Sequence, residues 1–185
     1  MTPLTPPVRR RSDSHSFTLV ETMLAAAALL ILTSLLMRSM FHFNEQRKLR
    51  TAAAELVGYL QVARSVANGS SEPCFIALSQ EQGGIFAPDP TAAKNSCEAG
   101  KISTSLRLAA LSGSRNLRAA VIPNSGSFPL RFNPEGTVRN GVTVLITSTD
   151  TPLGGWCVEV QAPVAIMRTG WRAANADSCN YLVEQ

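Results

Sequence analysis

The sequence predicts an α+β fold in which one long N-terminal helix packs on an antiparallel β-sheet domain. Three observations carry this. An apolar run from Phe17 to Met37 leads into an amphipathic stripe that ends near Asn68. From Cys74 onward the apolar residues come in short runs bounded by Gly, Pro, Asn and Ser. All four cysteines, Cys74, Cys97, Cys157 and Cys179, fall in that second part.

Residues 1–16 are polar, Pro-rich and basic, without apolar periodicity, and read as a disordered leader. Arg9, Arg10 and Arg11 stand just before the apolar run. By the positive-inside tendency they stay in the cytoplasm and the chain beyond the run lies outside it. The run itself has the length a bilayer core requires, roughly 20 residues, so a spanning segment is expected at about 17–37. A secretory signal peptide would have a shorter apolar core and a small-residue cleavage site after it. Here Arg38 and a continuing helical pattern follow instead. Glu21 is the one ionisable residue in the run. An acidic side chain near mid-helix costs about 2.5–3.5 kcal/mol in lipid. Near a helix end the cost is lower, but the carboxylate still calls for a partner.

Leu49, Ala52, Ala53, Leu56, Leu60, Ala63 and Ala67 recur at three- and four-residue steps, the stripe of an amphipathic helix. Gly69 is a natural stop, since glycine takes the left-handed conformation at helix ends. One helix is therefore expected over 17–68, about fifty residues and roughly 75 Å long. Its first half is apolar all round and its second half has one face to bury.

Residues 69–185 are expected to form a β-rich globular domain outside the cytoplasm. Strands are predicted at Cys74–Leu78, Ala119–Ile122, Leu130–Phe132, Val142–Thr147, Trp156–Val160 and Ala165–Arg168, with a brief one at Ile85-Phe86. Ile102–Leu111 fits helix or strand. Asn133-Pro134-Glu135-Gly136 and Arg139-Asn140-Gly141 are turn signals. An even cysteine count in an exported segment suggests disulfides. Cys74–Cys97 with Cys157–Cys179 is favoured because each closes a short local loop; Cys74–Cys179 with Cys97–Cys157 competes.

No Cys-x-x-Cys pair occurs and the chain has two histidines, so neither a zinc site nor another metal or cofactor is expected. His15 lies in the leader and His42 at the membrane-proximal helix, which leaves the distal domain without a histidine for nucleophilic catalysis. There is no P-loop and no nucleophile elbow. No catalytic residue is predicted, and the chain does not read as an enzyme.

The formal charge is +4, of which Arg9, Arg10, Arg11 and Asp13 in the leader supply +2. Basicity alone is thus a poor argument for nucleic-acid binding. The candidates for phosphate contacts are Arg115, Arg118, Arg131, Arg139, Arg168 and Arg172, above all Arg139, Arg168 and Arg172. Trp171 beside Arg172 would add a stacking surface. A solvated mixed-charge face with a core Trp is the simpler reading.

Phe17-Thr18-Leu19-Val20-Glu21 followed by a long apolar helix resembles the N-terminus of type IV pilins and type II secretion pseudopilins. The resemblance implies the pilin fold. It also implies cleavage by a prepilin peptidase between Ser16 and Phe17, with N-methylation of Phe17. Glu21 then becomes the acidic residue five places into the mature chain, paired in the filament with the charged α-amino group of a neighbouring Phe17. The implied partners are the inner membrane, the peptidase, other pilin or pseudopilin subunits and, in some relatives, DNA taken up by the cell. The implied location is the bacterial inner membrane, single-pass with the C-terminal domain periplasmic, and then a pilus or pseudopilus. The family usually has Gly before the cut, where this chain has Ser16. Phe132-Asn133-Pro134-Glu135-Gly136, Trp156–Val160 and Ala165–Gly170 are similar to minor pilins and pseudopilins of the FimT and GspH type. The function expected is a minor subunit that initiates or caps a filament, with DNA capture as the alternative.

Overall fold

The computed structural model describes residues 18–79, 84–97, 102, 105–108, 116–122, 126, 128–149 and 154–181, without the side chains at 35–39 and 42. Cleavage at Ser16 and Phe17, and Arg115, lie outside these residues. A single helix, α1 (Leu19–Asn68), leads into nine strands. The chain divides into two units, Met1–His42 and Phe43–Gln185.

In the first unit Thr18 caps α1. Its carbonyl accepts the N–H groups of Glu21 and Thr22 at 3.0 and 3.2 Å, and its hydroxyl accepts the Glu21 N–H at 3.4 Å. A threonine followed three residues later by glutamate is the capping-box spacing, and a carboxylate in the first turn suits the positive end of the helix dipole. Leu29, Leu30, Ile31 and Leu32 are all more than half exposed. Successive helical residues step by about 100°, so these four present apolar surface all round. The hydroxyls in this stretch bond inward: Thr22 donates to the Leu19 carbonyl, Thr33 to Leu29 and Ser34 to Ile31. That is what a helix in apolar surroundings requires. Among the described residues no helix is long and apolar enough to cross a membrane. The span over 17–37 is an expectation of the sequence, and residue 17 and the side chains at 35–37 lie outside the described ones.

In the second unit Leu49, Ala52, Ala53, Leu56, Leu60, Ala63 and Ala67 are all buried to 1% or less. The whole predicted stripe faces the core. The helix stops at Asn68 by a different device from the one expected, because Gly69 is not left-handed. Its N–H still reaches the Ser65 carbonyl at 3.0 Å, and the Ser70 N–H tightens onto Ala67 at 3.2 Å. The Ser70 hydroxyl then bonds the carbonyls of Ala67 and Glu72, which turns the chain toward β1.

The strands are β1 (Cys74–Ser79), β2 (Ile85–Pro88), β3 (Leu106–Arg107), β4 (Leu117–Val121), β5 (Leu130–Phe132), β6 (Val142–Ser148), β7 (Gly155–Gln161), β8 (Ile166–Arg172) and β9 (Asn180–Tyr181). They form two antiparallel sheets, ordered β3-β2-β1-β5 and β4-β6-β7-β8-β9. The sequence suggested a single sheet. Strand existence is a local signal, whereas pairing β1 with β5 joins Cys74 to Phe132 and leaves no local trace. Strand β8 also runs on past the expected end at Arg168, through Thr169, Gly170, Trp171 and Arg172. One core joins helix and sheets, with Leu56 and Leu60 from α1, Ile76 and Phe86 from the first sheet, and Ile146 and Val158 from the second. Cys74 is bonded to Cys97 and Cys157 to Cys179, the local arrangement of the two considered.

Candidate functional site

The turn after β5 is where helix and both sheets meet. The Asn133 N–H donates to the Thr137 carbonyl and the Gly136 N–H to Asn133, each at 2.8 Å. The Asn133 amide reaches the Thr137 hydroxyl at 3.2 Å. Phe132 and Val138 close the loop as a β-bridge. The Val138 N–H then donates to the Pro163 carbonyl at 2.9 Å, in the turn between β7 and β8. Arg64 of α1 clamps this junction, its Nε–H on the Gly136 carbonyl at 3.0 Å and an Nη–H on Ala165 at 3.5 Å. Gly136 is favoured chiefly by its backbone. Its φ is +68°, and a Cβ there would lie 2.7 Å from the Asn68 Oδ1. The sequence marked this turn but not its clamp, because Arg64 reads as one more polar residue beside the apolar stripe. Thr18 was missed too, although its three-residue spacing from Glu21 was legible.

A second tie anchors the start of the docked helix. Glu45 accepts from Lys48 at 2.7 Å and from the Ser148 hydroxyl at 3.3 Å. The tie joins α1 to the end of β6.

The basic residues do not form one cluster: Arg118 and Arg172 share a row of the second sheet, while Arg131 lies in the other sheet. Arg139 is exposed just after Val138, next to the β7–β8 turn. Arg168 is exposed in mid-strand, directly across from Glu159. Arg172 lies at the far end of β8, half-buried, with its Nε–H donated to the Ala176 carbonyl at 2.6 Å. Arg131 stacks over Phe75 in the other sheet, 5.4 Å from the ring centroid. Trp171 is no stacking partner for Arg172, since successive strand residues face opposite ways. It turns toward the core and meets Trp156 edge-on at 5.9 Å. Beside Glu159 and Arg168, Tyr181 has its phenol pKa raised, chiefly by burial, with a hydrogen bond to Thr143 opposing. Among the described residues no cluster of three or more His, Cys, Asp or Glu could hold a metal ion.

A capped helix laid on two disulfide-tied antiparallel sheets, with its key glycine turn clamped to the helix, has the α+β plan of a helix-borne β domain. Residues 52–179 match the family model described as type II transport protein GspH, and the chain belongs to that family. No curated protein matches it. No solved structure matches it either.

Proposed function

We propose that this chain is a minor pseudopilin or pilin subunit that enters a type II secretion pseudopilus or a type IV pilus, at its initiating or capping end. The family match over 52–179 carries the reading, and the N-terminal helix supports it. An apolar first half with inward-bonded hydroxyls suits first the inner membrane and then a bundle of like helices. Cleavage between Ser16 and Phe17 would release the basic leader and create a cationic amine, which N-methylation preserves. Glu21 sits in the first turn of α1, close in sequence to that amine. A buried ion pair of this kind adds little stability but fixes register between subunits. The domain would face the periplasm.

DNA capture draws less support. Its stacking residue, Trp171, packs against the core, and Arg131 lies in the other sheet from Arg118 and Arg172.

The test is terminal mass spectrometry on the membrane-extracted chain, followed by recovery of sheared filaments. The expected mature chain begins at N-methylated Phe17 and co-purifies with filaments. A chain that keeps its leader and never enters filaments would overturn the reading.

A further inference from the structure

The outer face of the second sheet carries a groove that the helix-and-turn architecture does not use. Strand register sets its walls. Arg118 in β4 pairs with Thr147 in β6, Thr147 with Gly155 in β7, and Gly155 with Arg172 in β8. Residues directly opposite one another in antiparallel strands share a face, so these four make one row. Leu117 and Ala119, on either side of Arg118, are buried, which places Arg118 on the outer face. Three inter-strand steps separate the two arginines, about 14 Å.

At the Arg172 end of this row lies a cavity of about 310 Å³ lined by Leu145, Thr147, Ser148, Gly155, Arg172 and Ala174, among others, with Arg118 beyond its lining. The low floor is set by glycine: a Cβ at Gly155 would lie 2.6 Å from the Ile146 carbonyl and 2.8 Å from Leu145. Arg172 is held in place through its Nε–H by the Ala176 carbonyl. Arg118 is exposed. Neither this row nor the next along the strands, Ala120, Leu145, Cys157 and Gly170, carries a carboxylate.

We propose that this groove docks an acidic, extended segment of a partner subunit. Arginine forks match carboxylates in two-point contacts, and their separation suits acidic side chains on a short strand with small apolar side chains over Leu145 and Ala174. A protein occupant is favoured over nucleic acid because the lining holds no aromatic ring among the described residues on which a base could stack. The proposal rests on the reading of the chain as a filament subunit.

The test uses the full-length chain in detergent with labelled hexaglutamate, followed by fluorescence anisotropy at low and moderate salt. Saturable binding that weakens with salt is expected, with a loss of about tenfold in Arg118→Gln and in Arg172→Gln. Arg131→Gln, on the other sheet, should bind as the wild type does. Arg118→Gln is the decisive variant, since Arg172 also anchors its own loop. Absence of saturable binding, equal binding by Arg118→Gln, or displacement of the peptide by an oligothymidylate of equal charge would each overturn the proposal. A wild-type chain that enters filaments without binding the peptide would sink the groove alone. One that never enters filaments would sink the subunit reading itself.

Discussion

The Arg64 guanidinium donates its Nε–H to the Gly136 carbonyl at 3.0 Å across 72 residues of chain. Through this bond and its companion to Ala165, one helical side chain holds the turn after β5 and the turn before β8. Arg64→Met should keep the aliphatic packing and lose both bonds. Hydrogen bonds to charged groups are worth about 1.5–3 kcal/mol each. With one of the two long at 3.5 Å, a loss of about 2 kcal/mol is expected in urea unfolding of the detergent-solubilised chain. An unchanged midpoint would show that the clamp is ornamental.

Gly136 is the other half of that relationship. Gly136→Ala should destabilise by about 2 kcal/mol or more, combining the left-handed backbone penalty with overlap on Asn68. Adding Asn68→Ala should restore the overlap share and leave the backbone share. A double variant no more stable than Gly136→Ala would mean that contact with Asn68 contributes nothing.

The two disulfides close loops of similar span, with separations of 23 and 22 residues. Loop entropy predicts about 3 kcal/mol from each. Replacing either pair by serine should lower the urea midpoint by comparable amounts, and thiol titration of the unreduced wild type should find no free cysteine. A free-thiol count of two or more would refute the pairing.

Much of this architecture was legible before any coordinates. The seven-residue stripe from Leu49 to Ala67 needs only helical periodicity, and all of it is buried. Short β-rich runs located the strands because turn residues bound them. What could not be read is long-range. Nothing near Cys74 announces that its partner strand holds Phe132, and nothing near Arg64 announces Gly136. The simpler reading of Trp171, as a core residue, holds: it packs against the core. Once β8 is seen to run through Gly170, period two sends Trp171 inward and Arg172 outward. The same alternation puts Arg172 in one row with Arg118.

Tyr59 offers a pH-dependent check on the helix–sheet core. Its hydroxyl is buried with no partner among the described residues, and burial pushes the phenol from its ordinary 10.0 up to about 12. The native state therefore holds the phenol proton more tightly than the unfolded chain does. The resulting stability is complete below pH 10 and drains away as pH rises through 12. Tyr59→Phe removes an unsatisfied hydroxyl and should stabilise by about 1 kcal/mol at neutral pH. It should also flatten the alkaline decline between pH 10 and 12. A wild-type profile no steeper than the variant's over that window would refute the assignment.

Glu21 serves two masters, and the Thr18 cap separates them. Its three-residue spacing from Thr18 fits a capping box, in which glutamine serves as well as glutamate. As the partner of a neighbouring amine, it must carry charge. Glu21→Gln should therefore preserve the helix start and membrane insertion, read by circular dichroism and carbonate extraction, while filament incorporation is lost. Thr18→Val should do the reverse, fraying the first turn at a cost of about 1 kcal/mol while incorporation persists. Wild-type levels of Glu21→Gln in purified filaments would mean that the carboxylate matters only as a cap, and the register argument would fall with it.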